Sequence, residues 1–185
     1  MSFTWTAHRF AGGALALDVA NSVVLRFDPE RRIDRFAEPL AMDAFAEAAN
    51  RYGFERERFG PLLPARPENR KSLIELREAT DRHFRAVVRA EDRPDLLADL
   101  LEAIATVLRQ PVNANRTSLD AATAHSALSL IASPEPERLK ICPNCEWLFL
   151  DRSRNKSRTW CDMAVCGNRT KARRHYRRNK KGTQP

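Results

Sequence analysis

All four cysteines of this 185-residue chain fall in its last quarter, at Cys142, Cys145, Cys161 and Cys166. The spacing is C-x2-C, a gap of fifteen residues, then C-x4-C. Four thiolates can hold one zinc ion in a tetrahedron, at a Zn–S distance of about 2.3 Å. In Cys142-Pro-Asn-Cys145 the two inner residues suit a tight turn, so this pair reads as a zinc knuckle. A hairpin across the gap would return Cys161 to the same point, with Cys166 at the start of a helix whose electropositive end favours thiolate. Knuckle, hairpin and helix in that order make a treble clef. Such a closed set leaves no open position for water, so the metal is expected to be structural and the chain is not expected to be an enzyme. The competing reading is two disulfides or four buried thiols. A reducing compartment argues against it.

The thiols lie in a basic field. Residues 138–185 hold 14 Lys/Arg and 3 Asp/Glu, whereas residues 1–137 hold 18 and 21. A nearly neutral body therefore carries a cationic end, which points to a polyanionic partner. Arg152, Arg154, Lys156 and Arg158 fall on the hairpin turn. Lys171, Arg173, Arg174, Arg177 and Arg178 fall on the helix expected from about Asn168 to Asn179. Arginine's planar fork suits phosphate and guanine. Ala172 and Tyr176, one turn apart, are expected to pack inward with Trp147 or Trp160. Arg169 lies near that inward face, where bracing of the hairpin and phosphate contact are equally open. His175 is expected to be a surface residue.

The remaining residues must position this module. Residues 1–136 read as a mainly helical domain, so the expected class is mainly α (α+β), with a small finger at 137–185. Gly12-Gly13 marks a turn, with a strand expected before it and an apolar element from Leu15 to Val24 after it. Pro39 opens a helix that puts Leu40, Phe45, Ala49 and Tyr52 on one face and stops at Gly53. From Pro67, Leu73, Leu76, Thr80, Phe84, Val87 and Val88 recur at helical spacing. Pro94 starts another helix with Leu96, Leu97, Leu100, Leu101, Ile104, Val107 and Leu108. Ser118 is placed to cap a last one through Ile131. Ser133-Pro-Glu-Pro136 is the best boundary in the chain. Beyond it, Leu139–Ile141, Trp147–Leu150 and Arg158–Trp160 read as strands.

Within the body, Asp18 and Asn21 sit one turn apart in apolar sequence, and a buried carboxylate needs a partner. Arg77 is the candidate. The three residues would form a structural salt bridge with a capping asparagine, the preferred reading, or line a ligand pocket. MSFTWTAHRF lacks a basic region followed by an apolar one, and Ala11–Val24 is too short and polar to span a bilayer. The expectation is a cytoplasmic protein without a membrane partner.

Trp147-Leu-Phe-Leu-Asp151, Ser153-Arg-Asn155, Trp160-Cys-Asp-Met163, Cys166-Gly-Asn-Arg169 and Lys171-Ala172 together resemble the CGNR-type zinc finger. In that bacterial family the finger follows a domain called ABATE, whose opening is similar to Phe10-Ala-Gly-Gly13 and Leu15-Ala-Leu-Asp-Val-Ala-Asn21. The resemblance implies a treble-clef finger with one structural zinc, double-stranded DNA as partner, a role in stress-induced transcription regulation, and an unidentified small ligand for the N-terminal domain. It departs from the family at Gln110–Thr117, a stretch too short for strands expected there. A basic zinc module also suits RNA or the ribosome, which is the alternative function. A nuclease would need a histidine base, and the hairpin has none.

Overall fold

The computed structural model describes residues 3–111, 116–133 and 135–181, with the side chains of residues 174, 175 and 177–181 outside that description. The protein is 57% helical, with two small two-stranded sheets, so it is mainly α. Among the described residues no helix is long and apolar enough to cross a membrane.

Helix α1 (Leu15–Ala20) lies at the centre, and all six of its residues are buried. Six residues cannot hold a helix alone, so tertiary packing holds this one. Before it stands a 3-10 turn, Ala7–Phe10, rather than the expected strand. Gly13 allows the sharp change of direction with a φ of 77°. After α1, strands β1 (Val23–Val24) and β2 (Ile33–Asp34) pair antiparallel.

Helix α2 (Pro39–Tyr52) opens on its proline and stops before Gly53, as the sequence predicts. It buries Met42, Phe45, Ala46 and Ala49, but Leu40 is 83% exposed. Leu40 precedes Phe45 by five residues and so lies about 140° round the helix from it. A short helix α3 (Arg56–Phe59) follows. A 3-10 turn from Pro67 leads into α4 (Arg70–Val88), whose Leu73, Leu76, Thr80 and Phe84 are buried as their spacing requires. Helix α5 (Pro94–Leu108) buries Leu100, Ile104 and Val107 and leaves Leu101 and Leu108 exposed, a narrower stripe than the leucine count predicts. Helix α6 (Leu119–Ile131) starts after Ser118. That residue accepts the Ala122 N–H on its carbonyl at 2.9 Å and makes no side-chain cap.

Two apolar clusters form the interior of the body, and a third gathers Trp147 and Phe149 round the cysteines. One gathers Trp5, Phe10, Phe36, Phe45 and Leu73. The other joins Leu17, Leu76, Phe84, Leu100 and Ile104 to Leu139 and Leu148. Those last two belong to strands β3 (Leu139–Ile141) and β4 (Leu148–Leu150), an antiparallel ribbon with Leu139 opposite Leu150. The ribbon at the C-terminal end therefore shares a core with the helices. Part of the connector predicted at Ser133–Pro136, namely Pro134, lies outside the described residues, as do residues 112–115 of Gln110–Thr117. From Pro136 a 3-10 turn runs directly into β3. Helix α7 (Asn168–Lys181) closes the chain's described part, two residues longer than expected.

Candidate metal centre

The knuckle joins β3 to β4. Cys142 donates its N–H to the Trp147 carbonyl at 2.9 Å, and its own carbonyl accepts the Glu146 N–H at 2.8 Å. Closing this turn puts Glu146 at a φ of 60°. The Glu146 carbonyl accepts from Arg85 of α4 at 2.7 Å, so the body braces the knuckle. Cys161 returns along a segment that is not the strand expected at Arg158–Trp160. Side chains satisfy its backbone instead. Lys140 donates to the carbonyls of Lys156 and Arg158, at 2.6 and 3.0 Å, while Asp151 accepts the Arg158 N–H at 2.8 Å. Asp151 is fully buried and also accepts from Lys140 and from the Ser153 N–H. Burial pushes its carboxyl pKa up, yet these donors outweigh burial and hold it well below the usual carboxylate range. Sequence reasoning missed this role, although Asp-x-Ser is a turn signature.

The C-x4-C spacing has a geometric reason. Met163–Gly167 forms a π-type turn, wider than an α turn, in which both the Cys166 and Gly167 N–H groups donate to the Asp162 carbonyl, at 2.9 and 3.1 Å. The extra residues carry Cys166 round to the other thiols. A Cβ at Gly167 would meet only the Sδ end of the exposed, flexible Met163 side chain, which can swing aside, so the turn does not demand glycine there. The same turn is continuous with α7, and Thr170 Oγ1 donates to the Cys166 carbonyl at 3.0 Å.

The four Sγ atoms all lie within 4.8 Å of one another. Cys145 and Cys161 are 3.5 Å apart and Cys161 and Cys166 are 3.7 Å apart. These separations are far beyond an S–S bond, and they approach the edge of about 3.8 Å that a tetrahedron with 2.3 Å Zn–S bonds demands. All four cysteines are free, and three are buried. Close packing of the thiols against one another pushes the pKa of Cys142 down and those of Cys145 and Cys161 up, the mark of thiols competing for shared protons. Donor number, donor type and spacing fit one structural zinc ion, which would hold knuckle, return loop and helix together. Residues 138–179 match the family model of the CGNR zinc finger. No curated protein matches the chain.

The CGNR finger is seamed to the helical body. Asn21 of α1 donates to the Leu148 carbonyl at 2.8 Å and accepts the Leu148 N–H at 3.1 Å, imitating a strand along the free edge of β4. Two residues on, the Leu150 N–H donates to the Gly12 carbonyl at 2.8 Å. His8 bonds Asp162 at 2.9 Å and stacks on Trp147. Nothing local in the sequence signals these partners of Asn21 and His8.

The structure does not bring Asp18, Asn21 and Arg77 together as one site. Arg77, 1% exposed, forms a two-pronged pair with Asp34 at 2.7 and 2.7 Å instead of pairing with Asp18. Asn21 is spent on Leu148. Asp18 accepts the Gly12 N–H at 2.8 Å, and its Oδ2 has no partner. Burial above all pushes its carboxyl well above the usual range, so the protonated acid is favoured in the fold. An acid with a raised folded pKa contributes stability below the unfolded pKa and loses it as pH climbs through the folded one. Asp18→Asn keeps the acceptor for Gly12 and cannot ionise. It is expected to flatten the fall in stability as pH rises above the unfolded carboxyl's value of about 4, measured by urea denaturation. An unchanged pH profile would show that Asp18 does not titrate there. Among the described residues, one cleft of about 520 Å³ lies between body and finger, lined by Phe10, Tyr52, Phe54, Arg152, Arg158 and Met163.

Of the predicted nucleic-acid contacts, several are spent internally. Arg152 donates to the Gly13 carbonyl and covers the Phe54 ring. Lys156 pairs with Glu135 and Glu137, and Arg158 bonds the Cys161 carbonyl. Arg154, Arg169 and Lys171 are exposed and, among the described residues, make no ion pair or side-chain hydrogen bond. Arg169 therefore does not brace the hairpin. Arg173 is exposed, with a 3.5 Å contact to Asn144. The side chains of Arg174, His175, Arg177 and Arg178 lie outside the described residues. Ala172 and Tyr176 are exposed, against expectation, so neither is packed away inside the finger.

Proposed function

We propose that the protein is a zinc-dependent DNA-binding protein that acts as a transcription regulator, with the metal holding shape and the finger's helix meeting the duplex. One observation carries this reading. Helix α7 holds eight Lys/Arg and no acid in fourteen residues, with Tyr176 exposed at 69% among them. A helix that buried itself in its own protein would need an apolar face, and this sequence offers only Ala172 and Tyr176, both exposed. Its cations favour a polyanion, and an α-helix is slender enough for a major groove. The four-thiol site supports binding rather than catalysis, since a closed ligand set offers no position to a substrate.

The test is fluorescence anisotropy on duplex DNA across a salt series. Lys171→Ala and Arg173→Ala are each expected to lower the slope of log K against log salt by about 1. Structured RNA as competitor at about 150 mM salt distinguishes the alternative of an RNA-associated protein. Preference for RNA, or slopes unchanged in both variants, would overturn the reading.

A further inference from the structure

Most arginines of the body are neutralised by carboxylates. Arg26, Arg31, Arg70, Arg77, Arg85 and Arg93 all form ion pairs. Arg9 and Arg35 are among those that do not: within the described residues neither side chain has an ion pair or a hydrogen bond. Both instead crowd one aromatic ring. The Arg35 guanidinium lies 4.0 Å from the Phe3 centroid, and that of Arg9 lies 5.8 Å from it. Arg9 also lies 5.4 Å from the ring of Trp147, which belongs to the zinc knuckle. The exposed Arg169, in the first turn of α7, is close enough to act on Arg9 electrostatically. Burial first, then the like charges of Arg35 and Arg169, push the Arg9 pKa down. Arg35 Nε is buried without a partner.

Carboxylates next to this patch are used elsewhere. Asp34, beside Arg35, is held by Arg77, and Asp162 is held by His8. One negative neighbour remains, the Cys145 sulfur near Arg9. A tetrathiolate zinc site carries two negative charges, which offset part of the charge of Arg9 and leave Arg35 and Arg169 in surplus. Arg9 bears the repulsion of two further guanidiniums, and rings lie against both Arg9 and Arg35, so an anion would relieve this crowding.

We infer that Arg9 and Arg35 of the helical body, with Arg169 of the finger, form a second phosphate-contacting patch, so that the body grips the same polyanion as α7. The inference rests on the proposed DNA-binding function and adds that the finger alone does not account for the footprint. Arg169 links the two surfaces: it lies at the start of the helix that carries Lys171 and Arg173, and its charge is felt by Arg9 of the body. Arg9 lies in the 3-10 turn Ala7–Phe10, and Arg35 opens a second one, Arg35–Ala37.

The experiment uses the full chain, loaded with zinc, and a nonspecific duplex. Arg35→Ala and Arg9→Ala/Arg35→Ala are compared with Arg173→Ala for salt slope, alongside zinc content and thermal melting. The expected result is a slope lower by about 1 for Arg35→Ala and about 2 for the double variant, with zinc content unchanged. Arg9→Lys/Arg35→Lys should restore the slope, because phosphate contact follows charge. That pair of variants also separates charge loss from misfolding. If Arg173→Ala lowers the slope while Arg35→Ala and the double variant keep the full wild-type slope, the body patch is overturned and the function of α7 stands. If the wild type does not bind the duplex, both readings fall.

Discussion

Stripping the zinc is expected to destabilise helix α1 and helix α4, not only the residues that hold the metal. The sequence predicts a separable finger, whose loss would leave the helical body folded. The structure revises that expectation, because the ribbon between knuckle and connector supplies Leu139 and Leu148 to the same cluster as Leu17, Leu76 and Phe84. Zinc contributes on the order of 10 kcal/mol to the folding of such a module. Without it the ribbon has only three residue pairs and no independent stability. Once the ribbon frays, two buried leucines are exposed at about 2 kcal/mol each, and two hydrogen bonds of Asn21 are lost at about 1 kcal/mol each. A body of ordinary stability, 5–15 kcal/mol, loses about 6 of those. Hydrogen exchange with and without a strong chelator measures this directly. Protection should fall in residues 138–179 and also in α1 and α4. Full protection of α1 in the stripped protein would mean that the seam contributes nothing to the body.

Replacing Asn21 with alanine should cost about 2–4 kcal/mol, a large effect for one polar residue. Both the N–H and the C=O of Leu148 face Asn21 at a site where Asn21 is 4% exposed and Leu148 is fully buried. Truncation leaves both backbone groups in apolar surroundings, each at about 1–2 kcal/mol. Asn21→Asp should be worse, because a carboxylate cannot donate to the Leu148 carbonyl and would be buried as a charge. Denaturant unfolding of the zinc-loaded protein gives the number, and a loss below about 0.5 kcal/mol would mean that water already reaches the β4 edge.

What the sequence discloses follows from the range of the interactions. The metal site was legible because Cys142-Pro-Asn-Cys145 is a local turn with an obvious chemical purpose. The helices at Pro39, Pro94 and after Ser118 were legible because proline, glycine and apolar spacing act within a few residues. Leu40 misled because its apolar character does not fix its angle on α2. The segment before Cys161 misled because Lys140 and Asp151, on another stretch of chain, replace the strand ladder that Arg158–Trp160 seemed to need. Asp18, Asn21 and Arg77 were rightly marked as buried polar residues, but their partners lie 6, 127 and 43 residues away, and no periodicity encodes such distances.

The clasp between Asn21 and Leu148 also orders events in time. A chain leaves the ribosome from its N-terminus, so the residues of α1 emerge as an apolar segment, not yet a helix, whose cover is encoded 127 residues later. The loop that must close to bury it is long, and closing it carries the entropy of all the residues between. The finger is thus a late-made lid on earlier-made residues, and metal loading falls at the step that seals them.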